Sequence, residues 1–342
     1  MQMVHLPSLR ALEGVEVVAL ADLDRGLGER VARASGIPRV YGEVSELLAG
    51  EPSLDGLVVV CGKQWHASAC LPALRAGLPV FTEKPLAATL AEGREMVETA
   101  ARSGARLMVG YMKRFDPAVL AAQRCIAEGR LGTVRFVRAH DWGGQFVAGR
   151  QGVSTRPLAD PPPPAPRSGA AQPSTPPPPS PEEAGRRAFA EWIEVWIHDV
   201  NLVQGLFGAI GDVLWSSPGS PRLVQVRCAS GAEVLFDVGG PQPGGMPWDE
   251  TLEVFGTAGR LSLSFAPPFL LHAPTALRIE APTGVETPRC GYAEGFLEEM
   301  RHFCRALQTG EVPHPDGAEA LGDLEACARI VRAAYPGVGA AL

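Results

Sequence analysis

Between Val15 and Asp116 the chain repeats one pattern: a short, almost uniformly apolar run, then a stretch with helical spacing. The apolar runs are VEVVALA (15–21), LDGLVVVCG (54–62), PVFTEKP (79–85) and RLMVGYM (106–112). Between them lie RGLGERVARASG (25–36), HASACLPALRAG (66–77) and ATLAEGREMVETAARSG (88–104), each with a glycine at its end. A strand with no polar face is covered on both sides, as in a parallel sheet. Strict alternation of strand and helix brings right-handed crossovers, so the pattern predicts a doubly wound α/β sheet.

After about residue 117 the rhythm changes. One helix, DPAVLAAQRCIAEGR (116–130), precedes TVRFVRAHD (133–141), RLVQVRCAS (222–230), AEVLFDVG (232–239), TLEVFGTAGRLSLSF (251–265) and ALRIEA (276–281). Turn pairs such as Ser230-Gly231 and Ala258-Gly259 join strand candidates, which predicts a large, mostly antiparallel open sheet. Helices over about 292–308 and 316–334 close an α+β unit. We therefore divide the chain into residues 1–117, the α/β unit, and 118–342, the α+β unit, for which a substrate and dimerisation role comes only with the resemblance given below. Residues 157–181 interrupt the second unit with 12 of the chain's 32 prolines. Such a stretch cannot repay its ordering entropy and reads as a disordered or polyproline insert, with a ligand for a proline-binding module as the alternative.

The 342 residues carry a net charge of −7 and no basic tract, which leaves no electrostatic footprint for nucleic acid or an anionic membrane. No apolar run is long enough to span a bilayer. The seven cysteines are scattered without a CxxC pair, which suits a reducing cytoplasm and indicates neither a disulfide framework nor a zinc site.

Three short constellations can carry chemistry. Asp22 closes the first apolar run, where an acid in a dinucleotide fold accepts the adenosine ribose hydroxyls and repels a 2′-phosphate. An acid there is also a common strand boundary. Glu83-Lys84-Pro85 follows another strand, on the edge where open α/β sheets bind ligands; Lys84 can stabilise developing negative charge, or be a surface lysine in a turn. In EWIEVWIHDVNLVQGLFG (191–208), Glu194 and His198 are four apart and share a helical face, as a carboxylate–imidazole acid/base pair requires. A partly buried structural histidine is the alternative. Glu194, His198 and His140-Asp141 supply too little to define a metal site, and no GxSxG elbow is present.

Taken together, "ALADLD", "PVFTEKPLA", "VGYMKRFDPA" and an E-x-W-x-H-x-x-N version of D-x-G-x-H-x-x-D resemble the Gfo/Idh/MocA family of NAD(P)-dependent oxidoreductases. The likeness covers nearly all the chain outside the proline insert. It implies hydride exchange between a nicotinamide cofactor, NAD rather than NADP, and a hydroxyl of a sugar or cyclitol. It also implies a homo-oligomer formed through the second sheet. By position, Asp22, His66, Glu83 and Lys84 would meet the cofactor. Lys84, His198 and Glu194 would be catalytic, and Tyr111, Lys113 and Arg114 would line the substrate cleft. Three departures stand out: Glu194 is longer than the family's aspartate, Trp196 replaces a glycine and must fill the cleft or turn away, and Asn201 replaces a second acid.

The family begins with an apolar strand and a glycine-rich loop, and in that register the last small residue of the loop falls near Met1. The missing strand would pair with both VEVVALA and GLVVVCG, and five buried apolar residues contribute on the order of 7–15 kcal/mol. We therefore expect a native start roughly a dozen or more residues upstream. The alternative is a binding or dimer-forming protein with a defective cofactor site and no catalysis.

Overall fold

The computed structural model describes residues 4–144, 180–240, 246–267, 269–270, 272–339 and 342. The first half builds parallel strands with helices between them: α1 (His5–Ala11), β1 (Ala19–Ala21), α2 (Arg25–Ser35), β2 (Arg39–Tyr41), α3 (Val44–Gly50), β3 (Leu57–Val59), α4 (His66–Arg75), β4 (Val80–Glu83), α5 (Leu90–Ser103) and β5 (Leu107–Gly110). Local signals set the helix ends. Asp24 accepts the Leu27 N–H at 2.9 Å to cap α2, and Thr89 and Glu92 form a reciprocal capping box on α5. Gly36 and Gly104 end those helices with φ of 68° and 73°, where a side chain would be strained.

These strands form two parallel sheets, β1-β2 and β3-β4-β5. Strand β1 is shorter than the apolar run that predicts it: only residues 19–21 pair, against β2, while Val15 and Val17 pack on Leu9, Leu6 and their neighbours. Strand β2 and helix α3 have no counterpart in the sequence reading. Among the described residues, β1 and β3 are not paired with each other. These are the two strands between which the sequence reading puts a further strand.

The second half runs α6 (Pro117–Ala127), β6 (Val134–Trp142), α7 (Pro181–Glu191), α8 (Ile197–Phe207), β7 (Ile210–Ser216), β8 (Arg222–Cys228), β9 (Glu233–Gly239), β10 (Asp249–Gly256), β11 (Arg260–Ser264), β12 (Ala276–Ala281), β13 (Gly284–Glu286), α9 (Gly295–Thr309) and α10 (Gly317–Ala334). One eight-stranded sheet takes the order β13-β12-β11-β10-β6-β9-β8-β7, antiparallel except for the β6–β9 pair. The single run read over 251–265 is a hairpin, β10 and β11, because Ala258-Gly259 turns the chain. Residues alternate between buried and accessible along β8, β9 and β10, so one face packs against helices. Residues 157–179 of the proline-rich stretch lie outside the described residues. Its last residues differ from the expectation: Ser180 caps α7, and Pro181 opens that helix where its missing N–H costs nothing.

Helix α10 ties the two halves together. It packs on α5 and β5 on one side and on α8 and β7 on the other. Leu324, Cys327, Ala328 and Ile330 are fully buried there. Gly93 lets α5 approach closely, since a Cβ at that position would lie 3.1 Å from a Leu324 methyl carbon. A second close approach lies at Gly256, beside a register shift between β10 and β6. A Cβ at Gly256 would fall 2.1 Å from the Leu131 carbonyl oxygen, a backbone atom that cannot swing away. Gly256→Ala should therefore destabilise the fold by about 1–3 kcal/mol, measured as a lowered midpoint in urea unfolding; an unchanged midpoint would contradict the packing described.

Candidate functional site

The carboxyl-terminal ends of β1, β3 and β4 lead into the segments that carry Asp22, Cys61–His66 and Glu83–Pro85. This is the edge at which open α/β sheets bind ligands. Asp22 donates its backbone N–H to Tyr41 O at 3.1 Å, and its carboxylate accepts the Asp24 N–H at 2.9 Å. The side chain is thus held at the strand end with oxygen capacity to spare.

Lys84 leaves the end of β4 and crosses to the second half of the chain, where its ammonium donates to the backbone carbonyl of Glu194. Burial pulls the Lys84 pKa down; Glu83 and Glu194 resist this, while Lys113 and Lys63 add to it. Glu83 is turned the other way. Its carboxylate accepts the Lys84 N–H at 2.9 Å and a ring N–H of His5 at 2.6 Å. Burial opposes the charge on Glu83, but the His5 contact and Lys84 hold its pKa below the ordinary value.

His198 stands at the start of α8, edge-on to Tyr111 with ring centroids 5.9 Å apart. Its Nδ1 is buried and has no partner among the described residues. Burial first, then the charges of Lys84 and Lys113, push its pKa well below the ordinary imidazole value. The ring is therefore neutral near pH 7 and able to take a proton.

The expected pairing of Glu194 with His198 does not form. Residues Trp192–Trp196 wind as a π-helical turn rather than an α-helix, which breaks the four-residue spacing that the pairing needs. The Glu194 carboxylate instead engages the Lys63 ammonium from the turn after β3. Trp196 turns away from the cleft: it is buried, packed edge-on against Trp192 at 5.3 Å, with Arg222 over its ring. Burying Trp192, Ile193 and Trp196 together accounts for the wider turn.

His66 is a further correction. It is buried, and its ring nitrogens lie 2.7 Å from Pro85 O and 3.2 Å from Cys61 O. The ring braces the loops after β3 and β4 instead of presenting itself to a ligand. Tyr111 and Arg114 also face inward. Tyr111 is 1% exposed and its hydroxyl faces Asp323, and Arg114 lies 3.5 Å from both the backbone carbonyl and the side-chain oxygen of Asn201. Asn201 donates to Asp323 at 2.8 Å, as does Gln204 at 2.6 Å. An acid at position 201 would set two carboxyls against each other there, so the asparagine is matched to Asp323. His140 and Asp141 occupy opposite faces of β6: His140 reaches Asp237 and Asp249, while Asp141 is buried toward the helices.

Of the cleft residues read from sequence, Lys113 reaches a cavity lined by Glu250, Phe265, Tyr292 and Phe296 among others. Its ammonium pairs with Glu250, which lies directly across the β6–β10 ladder from Asp141. Burial opposes the Lys113 charge, but Glu250, Asp199 and Asp141 together push its pKa up. Burial raises Glu250 to about 7 and Asp141 well above its ordinary value. Lys63, Asp199, Glu250 and Asp323 were not singled out from the sequence, and Asp141 was weighed there only as a metal ligand. They come from separate elements, and only strand register and helix packing bring them together.

The comparisons agree with this arrangement of an α/β unit followed by an open sheet. Residues 1–111 match the family model described as an oxidoreductase family with an NAD-binding Rossmann fold. Over those residues the chain is similar to the Gfo/Idh/MocA family. Inositol 2-dehydrogenase 1 of Saccharopolyspora erythraea is 27% identical over 323 residues, 92% of this chain and 86% of that protein. D-apiose dehydrogenase of Paraburkholderia graminis is 36% identical over 129 residues, and that match spans 38% of this chain and only 34% of the relative. A crystal structure of an oxidoreductase from Agrobacterium radiobacter in complex with NAD+, L-tartaric acid and magnesium shares the fold, with TM-score 0.71, 17% identity and coverage of 100% of this chain and 93% of the other.

A nicotinamide dinucleotide fits part of this donor set. Asp22 offers a carboxylate for ribose hydroxyls, and Lys84 and the unpartnered His198 Nδ1 gather where the strand edge meets α8. Contacts for a pyrophosphate are not found among the described residues.

Asp323 makes a pH-dependent prediction. Burial raises its carboxyl from 3.8 to about 7, against the pull of Asn201, Gln204, Tyr111 and Arg114. The folded state keeps a proton that the unfolded chain releases near pH 4. Its contribution to stability is full below that pH and is lost as pH rises through about 7. Asp323→Asn, which mimics the neutral acid, should therefore show a smaller fall in Tm between pH 5 and 8 than the unaltered chain, by thermal denaturation across that range.

Proposed function

We propose that this protein is an NAD-dependent dehydrogenase acting on a CH–OH group of a sugar, cyclitol or related small polyol. The observation that carries this reading is the meeting of Lys84 and His198. A lysine at the end of β4 reaches the backbone of the helix that carries His198, and its charge bears directly on that imidazole. The match of residues 1–111 to an oxidoreductase family, and relatives named as inositol and apiose dehydrogenases, support the choice of substrate class.

When bound, the nicotinamide supplies hydride acceptance and donation. The chain's own residues do the rest. Asp22 would hold the adenosine ribose and repel a 2′-phosphate, which favours NAD over NADP. His198, neutral at pH 7, would take the hydroxyl proton at a ring nitrogen. Lys84 would stabilise the charge that develops on the substrate oxygen. Lys113, held by Glu250, would fix a second polar group of the substrate. A homo-oligomer formed through the eight-stranded sheet and cytoplasmic residence belong to the same reading.

Titrating the protein with NAD+ and following NADH absorbance across a panel of polyols tests the proposal. Lys84→Ala and His198→Ala should each lower turnover by about 10²–10⁴-fold; full activity in either variant removes that residue from the mechanism. Because the His198 pKa is depressed, the acid limb of kcat/KM for oxidation should fall below pH 6.5. NADH-independent ligand binding with no absorbance change would instead indicate the non-catalytic alternative.

A further inference from the structure

Helix α1 places His5 beneath the end of β4, in a pocket walled by Phe81 at 5.6 Å and Phe296 at 5.5 Å between ring centroids. The ring is 1% exposed. One nitrogen, Nε2, lies 2.6 Å from Glu83 Oε1, and the other, Nδ1, lies 3.9 Å from Glu299 Oε1 on α9. Glu299 is fully buried, and neither of its oxygens has a partner among the described residues. Three elements distant in sequence thus bring an acid, an imidazole and a second acid into line under Lys84.

We propose that His5 is a positioning residue for Lys84: by bridging toward Glu299 and donating to Glu83, it fixes the carboxylate that accepts the Lys84 backbone N–H. The role assigned to Lys84 rests on the function proposed above. A neutral imidazole that donates from Nε2 keeps Nδ1 as an acceptor. The acid facing Nδ1 must then be the neutral one, and burial, with the nearby Glu83 charge, raises the Glu299 pKa well above the ordinary range. Glu83 stays ionised and turns its other oxygen to the Lys84 N–H at 2.9 Å. The two acids thus divide their roles through the ring between them.

The same three side chains offer one nitrogen and two oxygens within 4.8 Å of one another, a set that a divalent cation could use. The geometry favours the bridge. The two acids address different ring nitrogens, and an imidazole ligates a single ion through one.

The test reads Lys84 directly. Its charge environment comprises Glu83 on its own strand end, Glu194 and His198 from the helix across the cleft, Lys63 from the turn after β3 and Lys113 from the turn after β5. Without His5, Glu83 loses its donor in a buried site and takes up a proton, and Lys84 loses the first of the two negative charges that resist its burial. The pH dependence of acetic anhydride acylation at Lys84, read by peptide mass spectrometry with Lys63 as internal reference, should move down by about one unit in His5→Leu, since a lost opposite charge shifts a pKa by about that much. The Lys84 rate at pH 7 rises correspondingly, by about tenfold. His5→Gln, whose amide also donates to Glu83, should restore the original profile. A folded His5→Leu protein with an unmoved profile overturns the proposal.

If His5→Leu does not fold, the His5 ring itself still decides. Long-range 1H–15N NMR should show the His5 ring protonated at Nε2, with signals that move in Glu83→Gln and in Glu299→Gln and stay in place when Zn2+ or Mn2+ is added. Signals indifferent to both acids, or moved by stoichiometric metal, overturn it. None of these readings needs cofactor or turnover, so failure of the dehydrogenase assignment leaves them intact.

Discussion

The site is organised by one charged contact, the Lys84 ammonium on the carbonyl of Glu194. A cation at the end of a parallel strand is inserted into the backbone of a helix from the other half of the chain. The acceptor lies within the π-helical turn of residues 192–196, and a carbonyl oxygen can take a second hydrogen bond beside any in the helix. That turn in turn exists because two tryptophans and an isoleucine are drawn into the helix layer. Hydrophobic burial thus sets the backbone geometry that receives the lysine.

Around this contact the site separates its charges by position. On one side are Lys84 and Lys113, whose charges add to burial in keeping His198 neutral. On the other are buried acids, Asp141, Glu250 and Asp323, whose protons burial retains. Each acid lies near a lysine or amide that can accept its charge, but none is exposed enough to ionise freely. Such clusters are costly to bury and are held by a rigid surround. Here the surround is the α10 helix and the alternating inner face of the large sheet.

Much of the scaffold was legible in the chain because hydrophobic periodicity and helix caps are local. The apolar runs locate β3, β4 and β5, and Thr89, Asp116 and Asp316 mark helix starts that the structure retains. The reading lost accuracy where tertiary context overrode periodicity. VEVVALA is seven residues with no polar face, yet only its last three pair, because strand extent depends on a neighbour to pair with. Glu194 and His198 have helical spacing, but the π turn sends the carboxylate to Lys63.

By itself the sequence determined the class of fold, the edge on which Asp22 and Lys84 would sit, and the helix that carries His198. Those follow from patterns spanning a few residues, which any fold must respect. The tertiary structure alone decided which groups meet. Asp141 faces Glu250 because two strands pair in one register rather than the next. Asn201 finds Asp323 across 122 positions, and His5 finds Glu83 across 78. Contacts between residues so far apart depend on how whole elements pack, and no local pattern records them.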